Sequence, residues 1–393
     1  MKRLYLLIQM LSIIAYCSGQ ADAGPDKAIC SGKGVEIGAM SNSPDLCYSW
    51  SAVPDDPSIV NLTTPKIIVN PAKTTTYTLT VVGKDFSSKS TSSVKVYVVT
   101  DVAFSESTDE KYGYDDHTNP AILYKSVKNG DSDPIKIKIT PADGFKGVYF
   151  KVNSPLFQDV KISPVQAPSD EFNLTITGTG KGEEEVDVNC EKEDGTKIKE
   201  VDVFSYDLIT KRVGIRVVNY GNVISKPYSI SEIRDYLNKV YGQAVCAWEV
   251  DTLPPITANI DLNNDGLIDI SNNSREAAEI IKNCKDDSYD YNIFLVDNIF
   301  SSVTPVGFLL GKMPIGEKYG FVSVKSHQGK TASVENTMAH EIGHGAFSLR
   351  HPRTLCDGTK GDSDSSYDTD RDNIMDYCDK SKLRIFQWNL IQN

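Results

Sequence analysis

Hydrophobic and polar positions alternate with period two through much of the N-terminal half. In Thr76-Tyr77-Thr78-Leu79-Thr80-Val81 every second residue is apolar, which predicts a strand with one face turned inward. Similar β-branched and aromatic runs, "CYSWSAV", "KIIVNPA" and "STSSVKVYVVT", are separated by Pro, Gly, Asn and Asp turns, so residues 20–100 read as an all-β module. Residues 101–207 are again strand-rich ("PIKIKIT", "GVYFKV", "FNLTITGTG", "KIKEVDVFSY"), punctuated at Asn129-Gly130 and Asp194-Gly195. His117, beside Asp115 and Asp116, reads as part of a solvated turn.

From about residue 208 the pattern changes. "RVGIRVVNY" reads as a strand, and Ile230, Ile233, Leu237, Val240 and Tyr241 then follow helical spacing. Ser229 is the expected N-cap, with Glu232 three residues on and Gly242 at the end. "CAWEVDTL" predicts a strand, "SREAAEIIKNC" a helix, and "YNIFLVDN" and "YGFVSVKS" two more strands. The expected fold is therefore multidomain: all-β sandwich-like N-terminal modules at 20–100 and 101–207, followed by an α/β (α+β) domain at 208–393.

Residues 1–19 form a secretory signal pattern: Lys2 and Arg3, an apolar run from Leu4 to Tyr16, then small residues ending at Gly19. The run is too short to span a bilayer, and no later stretch is long enough, so a secreted, periplasmic or cell-surface protein without a membrane span is expected. The formal charge of −12, from 53 acidic and 41 basic side chains, argues against a nucleic-acid partner. In an exported chain disulfides are the default reading of cysteine. Proximity pairs Cys30 with Cys47, Cys246 with Cys284 and Cys356 with Cys378, leaving Cys190 over.

Histidine is scarce, yet three of the five histidines fall between positions 340 and 351. In Thr337-Met338-Ala339-His340-Glu341-Ile342-Gly343-His344-Gly345 a helix places His340 and His344 one turn apart on one face, where both imidazoles can reach one zinc ion. Glu341 then stands where its carboxylate can take a proton from water activated by that zinc. Ser333 or Thr331 can cap this helix, Gly345 is expected to end it, and His351 is the candidate third ligand.

These residues resemble the extended zinc motif of the metzincin peptidases, HExxHxxGxxH. The interval from His344 to His351 is seven where the family has six, Phe347 occupies the glycine position, and Gly345 follows His344 directly. Asp372-Asn373-Ile374-Met375-Asp376-Tyr377 is similar to the family's Met-turn. The resemblance implies that Met375 packs beneath the metal site and that Tyr377 binds zinc or steadies the transition state. Upstream, "ADAGPDKAIC", "YSWS" and "PAKTTTYTLTV" resemble PKD-type immunoglobulin-like modules of secreted bacterial proteins, with Trp50 as core tryptophan. Together the resemblances imply a secreted zinc metalloendopeptidase, a hydrolase acting on a protein or peptide substrate. They also suggest the strand around "YGFVSVKS" as the edge that binds the substrate. The alternative is a non-catalytic surface or adhesion protein whose zinc domain is vestigial or structural.

Asp261, Asn263, Asp265, Gly266 and Asp269 follow the opening of an EF-hand-type loop, which suits a structural Ca2+ ion, although Asn272 stands where the bidentate glutamate belongs. In the acidic run 357–373, Asp368, Asp370 and Asp372 are further candidate calcium ligands, against a plain solvated loop.

Overall fold

The computed structural model describes residues 20–59, 63–84, 88–119, 122–154, 158–220, 228–271, 274–301, 308–325, 333–355, 358, 360–362, 365, 367, 370–376 and 380–393. The signal pattern at 1–19 therefore lies outside the described residues.

The chain is mostly β. In its first part a four-stranded sheet runs Lys27–Cys30, Lys89–Val99, Thr75–Gly83, Leu46–Val53, the first pair parallel and the others antiparallel. Its alternation buries Tyr77, Leu79 and Val81 with Trp50, whose indole N–H donates to the Thr64 carbonyl at 2.9 Å.

Two further sheets follow. One contains Ser132–Thr140 and Glu171–Gly178, the other Gly182–Cys190 and Thr196–Tyr206. Ile135, Ile137, Leu174 and Ile176 from the first share a core with Val186, Val188, Val201 and Val203 from the second, as facing sheets of a sandwich do.

The disulfide pairing differs from expectation. Cys190 bonds Cys30 across a separation of 160 residues, stapling the first sheet to the sandwich. Cys47 lies on the exposed face of its strand as a free thiol. Cys246 and Cys284 are also free, because they are buried in separate cores on opposite faces of the next sheet. Cys356 and Cys378 lie outside the described residues.

That next sheet has five strands in the order Cys246–Thr257, Ile209–Asn219, Tyr291–Val296, Tyr319–Ser323, Gly311–Lys312. The first four are parallel and Gly311–Lys312 runs antiparallel at the edge. Ile293, Leu295 and Val322 face the helices Ile230–Gly242 and Val334–Phe347; Phe294, Val296 and Phe321 face the helix Arg275–Cys284. Helices on both faces explain why residues 293–296 of the strand Tyr291–Val296 are a continuous apolar run and not alternating. The expectation of a substrate-binding edge at "YGFVSVKS" is corrected here: Tyr319–Ser323 has neighbours on both sides, and Gly311–Lys312 is the edge.

A buried polar junction fixes this unit to the sandwich. Arg384, at the start of the helix Ile385–Gln392, donates from Nε (2.6 Å) and Nη2 (2.8 Å) to Asp370. Its Nη1 reaches Asp115 of the sandwich at 3.4 Å, and Asp115 also accepts the Ile385 and His117 backbone N–H groups. Asp115 is fully buried, so "YGYDDHTNP" is a docking segment and not a wholly solvated turn. Asp370, whose two oxygens are taken by Arg384, is committed to this junction and not to calcium. Among the described residues no helix is long and apolar enough to cross a membrane.

Candidate metal centre

The helix Val334–Phe347 begins as the sequence predicts: the Ser333 hydroxyl accepts the Asn336 N–H at 3.1 Å. Its end differs. Gly345 does not terminate it; the helix continues to Phe347, and Ser348 adopts the left-handed conformation at φ 54°. The Ser348 N–H then bonds the His344 carbonyl and the Leu349 N–H bonds that of Gly343, closing a C-terminal cap. The reversing residue is thus Ser348, four positions after His344, and the third histidine follows three positions later. The longer interval is absorbed in the cap, and His351 returns to the helix.

Nε2 of His351 stands 3.0 Å from Nε2 of His340 and 3.1 Å from Nε2 of His344. Each ring's other nitrogen faces an acceptor. His340 Nδ1 is 2.9 Å from the Ile374 carbonyl and His344 Nδ1 is 2.7 Å from the Leu349 carbonyl. His351 Nδ1 is 3.5 Å from the Asp362 carboxylate, which also accepts the His351 backbone N–H at 3.0 Å. An N–H at each Nδ1 leaves the Nε2 lone pair directed at the common point. Burial and the neighbouring rings keep the imidazoles neutral, with His344 pushed down to about 4.

This donor set fits zinc. Imidazole nitrogen is a preferred zinc ligand, and Zn–N bonds of about 2.0–2.1 Å in a tetrahedron place the nitrogens about 3.3–3.4 Å apart. The two separations from His351 are within a few tenths of an ångström of that, and three protein ligands leave a fourth position for a reactant.

Glu341 lines the same cleft as His344 and His351. It is buried, and burial pushes its carboxyl up to about 8, opposed by the backbone N–H of Met313 at 2.7 Å and by Lys312. Three glycines make this packing possible. A Cβ on Gly311 would stand 2.8 Å from Glu341 Cγ, one on Gly345 would overlap Met313, and one on Gly343 would stand 2.8 Å from Met375 Sδ. Met375 therefore packs against the helix Val334–Phe347, next to Ile374, whose carbonyl lies against His340 Nδ1.

Of the expected site residues, the structure brings together His340, Glu341, His344, His351 and Met375. Tyr377 lies outside the described residues. Asp261, Asn263, Asp265 and Asp269 occupy a loop apart from this cleft. There Asp261 accepts the Asp265 and Gly266 N–H groups, Asn263 accepts the Asp265 N–H, and Asp269 accepts from Ser271. Among the described residues, three potential metal ligands converge only at the histidines and at the Cys30–Cys190 disulfide with Glu191. Asp362 and the Met313 N–H were not legible as site groups. The first is one acidic residue among many, and the second is a backbone group that no side-chain motif announces.

No family model and no curated protein matches the chain. Among solved structures it is similar to domains 4 and 5 of the S-layer protein SbsC (18% identity, 43% of this chain and 81% of that one, TM-score 0.19). It is similar also to the I-band fragment I67–I69 from titin (11% identity, 50% and 68%, TM-score 0.23). A third likeness is to the D00–D0 domain of intimin (12% identity, 47% and 96%, TM-score 0.20). Scores this low bear on neither the whole fold nor the chemistry.

Proposed function

We propose that this protein is an exported zinc endopeptidase of metzincin-like architecture, carried behind a PKD/immunoglobulin-like module and a second β-rich domain. The observation that carries the reading is the convergence of three Nε2 atoms, each ring held through Nδ1, in a cleft shared with the buried Glu341. The helix crossing beneath a sheet with one antiparallel edge strand, and Met375 packed against that helix, support it. A disulfide joining two modules agrees with an oxidising compartment.

His340, His344 and His351 would hold the zinc. Bound there, the ion supplies Lewis-acid polarisation of the scissile carbonyl and acidifies water. Glu341 takes a proton from the attacking water and returns one to the leaving amine. The Met313 N–H holds that carboxylate in place. The edge strand Gly311–Lys312 offers backbone groups for an extended peptide to pair with, so the substrate lies across the cleft. The test is cleavage of an unfolded protein by the purified chain. Activity should vanish on chelation and return with one equivalent of zinc; a chain that binds zinc and cleaves nothing would contradict the reading.

A further inference from the structure

On the face of the edge strand away from the histidines lies a second cavity, and we propose that it is a specificity subsite for a large apolar side chain of an extended peptide bound along that edge. The inference rests on the peptidase reading for the presence of a peptide and adds what that peptide carries.

Successive residues of an extended segment face opposite sides of a sheet. Between 311 and 315 the alternation is visible. Gly311, Met313 and Ile315 line the histidine cleft alone, whereas Lys312 and Pro314 border both that cleft and a cavity of about 290 Å³. The apolar part of this second cavity is formed by Ile270, Ala277, Ile281, Tyr319 and Phe321, with Ser271, Ser274 and Glu317 also on its lining. The Lys312 amine donates to the Ile270 carbonyl at 3.0 Å, which draws the side chain along the rim. A void of about 150 Å³ already accepts a benzene ring, so an aromatic or branched side chain fits here. Lys312 and Pro314 thus stand between the two cavities, one on each side of the edge. A peptide paired to that edge repeats its alternation: a side chain directed at the histidine cleft has neighbours directed at the second cavity.

The experiment uses the full zinc-loaded chain and fluorescent extended peptides of Gly and Ser, with one Phe moved a position at a time. Anisotropy gives the affinity of each. The expected result is a position at which Phe tightens binding by about tenfold or more over Gly. That gain should disappear in Ala278→Trp, which fills the cavity from an exposed helix position, while gains at other positions persist. Equal affinities across the scan, or a Phe profile unchanged by Ala278→Trp, would overturn the assignment. Cleavage is followed in parallel. A Phe preference sensitive to Ala278→Trp, without cleavage of any peptide, upholds the subsite and contradicts the peptidase reading; cleavage with a profile indifferent to Ala278→Trp does the reverse.

Discussion

Met313 and Gly345 share one volume: Met313 Sδ lies 2.5 Å from the point a Cβ on Gly345 would occupy. The glycine is what lets the segment that follows the edge strand and carries Met313 come down onto the helix Val334–Phe347, and the Met313 N–H then holds Glu341. Gly345→Val should displace Met313 and cost about 1–3 kcal/mol, as overpacking does. Gly242→Ala makes the control. It ends the helix Ile230–Gly242 with nothing nearer than 3.9 Å to its Cβ, so it should be neutral or stabilising by up to about 1 kcal/mol. Urea unfolding of both variants checks the contrast; equal effects would contradict it.

Asp362 is expected to act on the metal through His351. Asp362→Ala removes the acceptor of the His351 backbone N–H and the partner of Nδ1, and should weaken zinc binding by about 10–100-fold. Competition against a chromophoric chelator measures this directly. Unchanged affinity would show that the ring needs no such support.

The junction at Arg384 should dominate stability. Arg384→Met strands the buried carboxylates of Asp115 and Asp370 and should cost about 3–5 kcal/mol. The same junction predicts a pH dependence. Burial raises the Asp370 carboxyl, but the Arg384 guanidinium outweighs this and holds it below the usual 3.8. A lowered folded-state pKa stabilises the fold above the unfolded value and is lost as pH falls through the folded one. The stability gap between the wild type and Asp370→Asn should therefore be constant above about pH 4 and close below it. Thermal unfolding from pH 6 to 2 reads this; a gap that widens in acid would contradict it.

Thiol chemistry tests the cysteine assignment. Without denaturant, a maleimide should label Cys47 and spare Cys246 and Cys284, which are buried; burial also pushes the Cys246 thiol up to about 12. Peptide mapping without reductant should recover Cys30 joined to Cys190. Recovery of a Cys30–Cys47 peptide would contradict the fold at this junction.

What could be read from the sequence follows physical range. The strands with alternating faces, the capped helix at Ser229 and the pair His340 and His344 are set by neighbours within a turn or a pleat, and the patterns show them. The Cys30–Cys190 bond, the Asp115–Arg384 contact and the Gly345–Met313 fit depend on which elements meet across the fold, and no local pattern carries that. The acidic run containing Asp362 and Asp370 illustrates the limit. Its composition reads as a calcium or solvent loop, yet one carboxylate supports a histidine and another neutralises a buried arginine. The helix end follows the same rule. Gly345 looks like a terminator, but its hydrogen serves packing, and Ser348 makes the turn.

The most direct measurement compares the wild type with Glu341→Gln, both carrying one equivalent of zinc, on the same peptide substrate. Full zinc occupancy is expected in each, with a kcat lower by about 10²–10⁴-fold in the variant. A variant that cleaves within tenfold of the wild type would contradict the role of Glu341. Loss of zinc on making it would contradict the assignment of the metal to the three histidines alone.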